Sequence, residues 1–430
     1  MTTFHELSPG MFDALARGGG GPGAIDLLRS AQLSKHLLLI GHLLRAWPES
    51  DPERARVVAA LDRAHASSPG AYRAVLGAPL VGGWAGIAAR AAGQDALQRA
   101  DLLHLGALAV VACADAGVPA EVKVPVHRDL AVLPGWGAAA AGPIPEATAR
   151  TDGTSVWVDG AGQPVLVPRP PDTAAGRWLP VRRLTATAAG ATIAVALDDL
   201  HPYRHGHHVP PALRLAEDEA ARWQTLFQQA WSLLATHLPE RAAELGAGLR
   251  TLVPLATDAK AARSATIRHA FGVFGLSRPP SPEEFAVTMV HEFQHSKLSA
   301  LLDLVQLTDP DDQARYFAPW RRDPRPLAGL LQGVYAFGGV ADTWRALRAA
   351  DGLGEQAEAQ FAAVRLQVDR GLTAIERSGA LTSAGVRLAE RLRATTDRLL
   401  AEPLPPGVTA EAERNLERRH RRWLDERADD

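Results

Sequence analysis

The segment Ser281–Leu304, SPEEFAVTMVHEFQHSKLSALLDL, restricts the fold more than any other, because it reads as one capped helix with two histidines on one face. Ser281 suits an N-cap, Pro282 the first helical position and Glu284 the far end of a capping box, so a helix is predicted over 282–304. Phe285, Met289, Val290, Phe293 and Leu298 give that helix an apolar surface. His291 and His295 are four residues apart and therefore stack on successive turns. Two imidazoles in that relation can take one divalent metal. Glu292, rotated by about 100° from His291, still reaches the region where a metal-bound water would lie. This is why the HExxH pattern recurs in metal hydrolases. Two strand-like segments, RTLVPLA and SATIRHAFGVFGLS, precede the helix, as a zincin arrangement requires.

Two histidines do not complete a metal site. The extended HExxHxxGxxH pattern is absent, since Leu298 and Leu301 stand at its last two positions. Asp303 lies two turns beyond His295, about 12 Å along the helix, and is read as a structural or outer partner. The following helical stretch, PLAGLLQGVYAFGGVADTW, offers Gln332, Tyr335 and Asp342 at helical spacing, and its glycines permit close approach to a neighbour. Gln332 is the candidate third ligand. Between the two helices, YFAPWRRDPRP carries Arg321, Arg322 and Arg325, whose forked guanidinium groups suit a carboxylate. Their plainer reading is an ion pair with Asp323. Lys297 and Arg268 are alternative carboxylate partners.

The remainder of the 430 residues suggests two or three structural units. Residues 1–118 read as helical, with AIDLLRSAQLSKHLLLIGHLLRAW following a glycine loop at 18–21. Residues 119–211 read as short strands and turns, with a loop at 135–148, and residues 212–430 as a helical catalytic region. The fold class is thus α+β, predominantly helical, with a helical N-terminal part, a β-rich middle and a helical C-terminal metal-binding part built on a zincin-like HExxH helix. Within LHPYRHGHHVP, His201, His205, His207 and His208 are read as incidental or as substrate contacts. Net charge is −2, so nucleic acid is not expected as a partner, and the one basic run, Arg418, Arg419, His420, Arg421 and Arg422, reads as a solvated helix face. Cys113, the single cysteine, sits in an apolar run and reads as a buried small hydrophobe. With neither a signal peptide nor a membrane span expected, the protein is placed in the cytoplasm. The oligomeric state stays open.

The chain resembles the HExxH-type peptide β-hydroxylases, iron(II)- and α-ketoglutarate-dependent enzymes associated with ribosomally made, post-translationally modified peptides. The residues carrying the resemblance are FDALARGGGG, AQLSKHLLL, RSAT at 263–266, VHEFQHSKLSALLDL and PWRRDPRPLAGLLQG. The resemblance implies that His291 and His295 hold Fe(II), that α-ketoglutarate chelates the metal, and that an Arg or Lys (Arg321, Arg325 or Lys297) binds its distal carboxylate. The product would be a hydroxyl on a side-chain β-carbon of a precursor peptide. Glu292 would then orient a ligand or bind the metal itself. Many relatives carry a histidine in the helix corresponding to 326–345, where this chain has Gln332 and Phe337 as the plausible positions. Two other readings stand beside this one. The first is a zinc metallopeptidase with Glu292 as general base. The second is a non-catalytic peptide-binding protein.

Overall fold

The computed structural model describes residues 5–205, 209–256 and 264–428. Proline and short polar residues set the starts of the N-terminal helices: α1 (Pro9–Ala16), α2 (Gly21–Ala46), α3 (Pro52–Ser67), α4 (Pro69–Leu76), α5 (Pro79–Ala92) and α6 (Arg99–Asp115). The Ser8, Asp51 and Ser68 side chains accept backbone N–H bonds at the starts of α1, α3 and α4, the role such side chains play at helix N-termini. Helix α6 is apolar all round and is buried from Leu102 to Ala114, including Cys113, whose thiol donates to the Ala60 carbonyl at 3.1 Å.

Helix α6 is covered on one side by an antiparallel sheet of β1 (Ala120–His127), β2 (Leu130–Leu133), β3 (Gly137–Ala140), β4 (Glu146–Thr151), β5 (Val156–Asp159), β6 (Val165–Val167) and β7 (Trp178–Pro180). Its strand order is β6-β5-β4-β1-β2-β3-β7. The stretch 135–148, expected to be a loop, instead contains β3 and the start of β4. Its alanines are small because β3 is packed closely: a Cβ on Gly137 would lie 2.7 Å from the Trp178 ring.

A second sheet, ordered β11-β12-β10-β9-β8, combines β8 (Arg182–Ala188), β9 (Ala191–Leu197), β10 (Thr251–Pro254), β11 (Ser264–Thr266) and β12 (Val273–Leu276), with α7 (Glu217–His237) and α8 (Pro239–Gly248) between β9 and β10. Strand β10 runs parallel to β9 and β12, and both β10 and β12 are buried at every residue, as parallel interior strands are. Short β11 pairs antiparallel with β12 and forms the edge. The C-terminal helices follow: α9 (Pro282–Leu302), α10 (Leu327–Leu347), α11 (Gly354–Glu376), α12 (Ser383–Ala401) and α13 (Pro406–Ala428). Helix α9 begins where the sequence places it, with the Ser281 hydroxyl accepting from the Glu284 N–H at 3.4 Å and Pro282 in the first turn.

The architecture is α+β and mostly helical, but the cores divide it differently from the sequence boundaries at 118/119 and 211/212. One core joins α3–α6 to the first sheet across residue 118. The other joins α1, β8, β9 and α7–α12, so β8 and β9 pack with the C-terminal helices although they precede residue 211. Helix α2 serves both, with Ala24, Ile25 and Leu28 in the C-terminal core and Ile40 and Leu43 in the N-terminal one. No single helix among the described residues is long and apolar enough to cross a membrane.

Candidate metal centre

Helix α9 lies within the C-terminal core, packed against α7, α10 and β11. Its buried Phe285, Met289, Val290 and Phe293 fix its rotation, and that rotation aims His291 and His295 into one space. Their Nε2 atoms are 3.2 Å apart. Two imidazole nitrogens bound to one ion at about 2.1 Å, at angles between octahedral and tetrahedral, lie roughly 3.0–3.4 Å apart, so the pair fits one ion.

Each ring is set for that role by its surroundings. The His295 Nδ1–H donates to Gln332 Oε1 at 3.0 Å, which leaves Nε2 with its lone pair. The Gln332 amide is oriented in turn by its Nε2, which donates to Ser299 Oγ at 3.2 Å. His291 is held neutral, with its pKa pushed well below the usual range by burial and then by neighbouring His295. The His291 ring meets Phe337 edge-on at 4.9 Å, and Phe337 stacks on Trp320 at 4.8 Å. Trp320 occupies a niche in the helices behind it: a Cβ on Gly333 would lie 2.0 Å from the indole, and one on Gly371 3.2 Å.

Glu292 is 2% exposed, and its Oε1 lies 3.9 Å from His291 Nε2. Ser264 Oγ donates to Oε1 at 2.7 Å and Thr266 Oγ1 to Oε2 at 2.5 Å. Residues 264 and 266 project from the same face of β11, so the edge strand holds the carboxylate with two hydroxyls. The strand-like pattern of SATIRHAFGVFGLS by itself assigns these two hydroxyls no contact with Glu292. The signal was the Ser-x-Thr alternation in a short strand preceding the helix.

The remaining candidates are placed as follows. Gln332 reaches the site, but on the Nδ1 side of His295, where it orients the ring and does not face the space between the two Nε2 atoms. Lys297 lies about 200° around the helix from His295. Its ammonium is fully buried and donates to Glu244 at 2.6 Å, to the Gly18 carbonyl at 2.8 Å and to the Gly19 carbonyl at 3.1 Å. Burial lowers its pKa to about 8, against the pull of Glu244. This placement removes Lys297 from any contact with a ligand at the histidines and corrects the expectation that it binds a co-substrate. Arg321 and Arg325 pair with Asp323 at 2.8 and 3.3 Å on the outside of the loop. Tyr335 donates to the Leu15 carbonyl, and Asp342 pairs with Arg241 and Arg345. Asp303 pairs with Lys35 and accepts from Gln32, a structural role. His207, His208 and Arg263 lie outside the described residues.

Among the described residues, no three His, Cys, Asp or Glu side chains are grouped to hold a metal. What the helix brings together is the imidazole pair, with the Glu292 carboxylate 3.9 Å from His291 Nε2. No family model and no curated protein matches the chain.

Proposed function

We propose that the chain is an iron(II)- and α-ketoglutarate-dependent oxidoreductase that hydroxylates a side-chain β-carbon of a ribosomally made peptide in the cytoplasm. The observation that carries this reading is the pair of Nε2 atoms 3.2 Å apart beside the buried Glu292 carboxylate, a two-histidine, one-carboxylate set of the kind open iron sites use. Each Glu292 oxygen accepts from a hydroxyl and keeps a further lone pair, so the metal and the oxygen requirement, not this side chain, separate the reading from a zinc peptidase.

Iron with α-ketoglutarate and dioxygen would supply replacement of a C–H hydrogen by hydroxyl, with succinate and carbon dioxide as the other products. The chain's own residues bind and position. His291 and His295 present their Nε2 atoms to one space, Gln332 fixes the orientation of the His295 ring, and β11 steadies Glu292, the nearest carboxylate, for the third position. Phe337 and Trp320 keep water from one side of His291. The distal carboxylate of the keto acid must pair with a cation other than Lys297.

The test is anaerobic reconstitution with Fe(II), followed by air and α-ketoglutarate, with succinate measured. Release that requires iron and disappears in His291→Ala/His295→Ala supports the reading. Zinc-dependent peptide cleavage without an oxygen requirement would replace it with the peptidase. Failure to retain any metal would point to a binding protein.

A further inference from the structure

Two arginine groups that are distant in sequence meet in one cleft. Helix α13 crosses the loop between α9 and α10, where Arg419 donates to the Pro319 carbonyl at 3.3 Å across 100 residues of sequence. His420 and Trp423 pack on Phe317 at 4.9 and 5.4 Å and fix the crossing. Between loop and helix lies a cavity of about 310 Å³ lined by Trp320, Arg321, Arg322, Arg419, Arg422 and Trp423, with Glu426 as its carboxylate. A second hollow, of about 320 Å³, continues it past Asn415 and Arg418 and shares Arg419 and Arg422.

Two of the nearby acids are taken by other partners, which leaves Glu426 as the carboxylate within the cleft. Asp323 pairs with Arg321 and Arg325, and Glu417 with Arg421 and Arg370. Among the described residues, Arg322, Arg418, Arg419 and Arg422 have no carboxylate within ion-pair distance. All four are exposed. Like charges gathered in a concave surface repel one another and raise the local potential, an arrangement suited to holding an anion. Guanidinium forks favour carboxylates in two-point geometry.

The size and the rings narrow the choice of anion. From Asn415 to Glu426 the helix runs roughly 16 Å, the length of about five extended residues and more than a small dicarboxylate fills. The indoles are not free platforms for nucleobases: Trp320 lies on Phe337, and Trp423 lies against Phe317 and stacks on His420. Binding of single strands relies on such open rings.

We propose that this cleft docks an acidic polypeptide segment of about five residues. Trp320 stacks on Phe337, which meets His291, so two rings lie between a segment held here and His291. That this segment belongs to the substrate rests on the function proposed above, whereas the docking itself does not.

The test is fluorescence anisotropy of a labelled peptide containing six consecutive glutamates, with the full chain in EDTA. A matched glutamine peptide and an eight-nucleotide single strand serve as comparators. The expected result is binding of the glutamate peptide at least tenfold tighter than either comparator, weakening as salt rises. Arg418→Gln/Arg422→Gln should lose at least tenfold, with an unchanged thermal midpoint because neither residue has an ion pair to break. Equal binding of the glutamate and glutamine peptides, tighter binding of the oligonucleotide, or full binding by the variant would each overturn the proposal. Because no metal or turnover is involved, the outcome is independent of the hydroxylase reading.

Discussion

Gln332 bridges His295 and Ser299 with the two ends of its amide, which makes it the side chain whose loss separates ring orientation from ligation. In Gln332→Leu the His295 Nδ1–H loses its acceptor, and the tautomer that exposes the Nε2 lone pair is no longer favoured. Metal affinity should fall by about 10- to 100-fold, as for other outer partners of metal-bound histidine, with the fold intact. Titration with Fe(II) or Co(II) measures this, and an unchanged affinity would remove Gln332 from the site. Lys297 answers to a different measurement. In Lys297→Met the buried Glu244 keeps Arg241 but loses its closest cation, and the Gly18 and Gly19 carbonyls lose a donor. Unfolding in urea should show a loss of about 3 kcal/mol. The two cases also show what a sequence reveals at this scale. His291, His295 and the Ser281 cap were legible because their geometry is set within a few residues. The partner of Lys297 was not, because Glu244 lies 53 residues away and only the folded core brings the two together. Ser264 and Thr266, 28 and 26 residues from Glu292, were hidden for the same reason.

At the scale of elements, small residues decide how closely α10 can carry its neighbours. Gly333 leaves the space that Trp320 fills, and a methyl group there would sit 2.0 Å from the indole. Because a rigid ring cannot yield as a flexible chain end does, Gly333→Ala should cost about 1–3 kcal/mol through overpacking. It should also displace Trp320 from Phe337, which thermal unfolding and tryptophan emission together would report. An unshifted midpoint with unchanged emission would mean that the niche is looser than described. A cap of its own made α9 readable, and periodicity made α2 readable. It did not show that α2 spans two cores, because both halves of that helix carry the same kinds of apolar residue. Nor did composition separate β3 from a linker. Alanine and glycine there record close packing against Trp178, and the same letters occur in loops.

At the scale of the whole molecule, the region where the two cores meet is rich in buried histidine. His104 from α6 and His127 from β1 lie around Tyr203, with His201 from the segment after β9; His104 is 5.0 Å from His201 and 4.9 Å from Tyr203, between ring centres. His36 of α2 and His269 of the β11–β12 connection flank Gly82 of α5. Each of the five has a buried ring nitrogen without a partner, and burial lowers the pKa of each, that of His201 to about 3. The charged groups facing them are Asp101, Asp198 and Arg204 around the first cluster, and Lys35, Arg90, Arg268 and Asp303 around the second. Lowered folded values mean that the unfolded chain binds protons the folded chain refuses. Stability is therefore complete above the ordinary histidine pKa and falls as pH drops below it, by about 1.4 kcal/mol per pH unit for each histidine that stays neutral when folded. Asp198 and Asp115, raised by burial, act in the opposite sense, since their contribution is present at low pH and is lost as pH rises through their folded values. Urea unfolding at pH 7, 6 and 5 should show a steep acid loss. His104→Phe keeps the ring's bulk but has no proton to bind, so its slope between pH 6 and 5 should be shallower by about one histidine's share. If wild type and variant lose stability in parallel, His104 is not among the groups that make the molecule acid-sensitive, and the sensitivity must arise elsewhere.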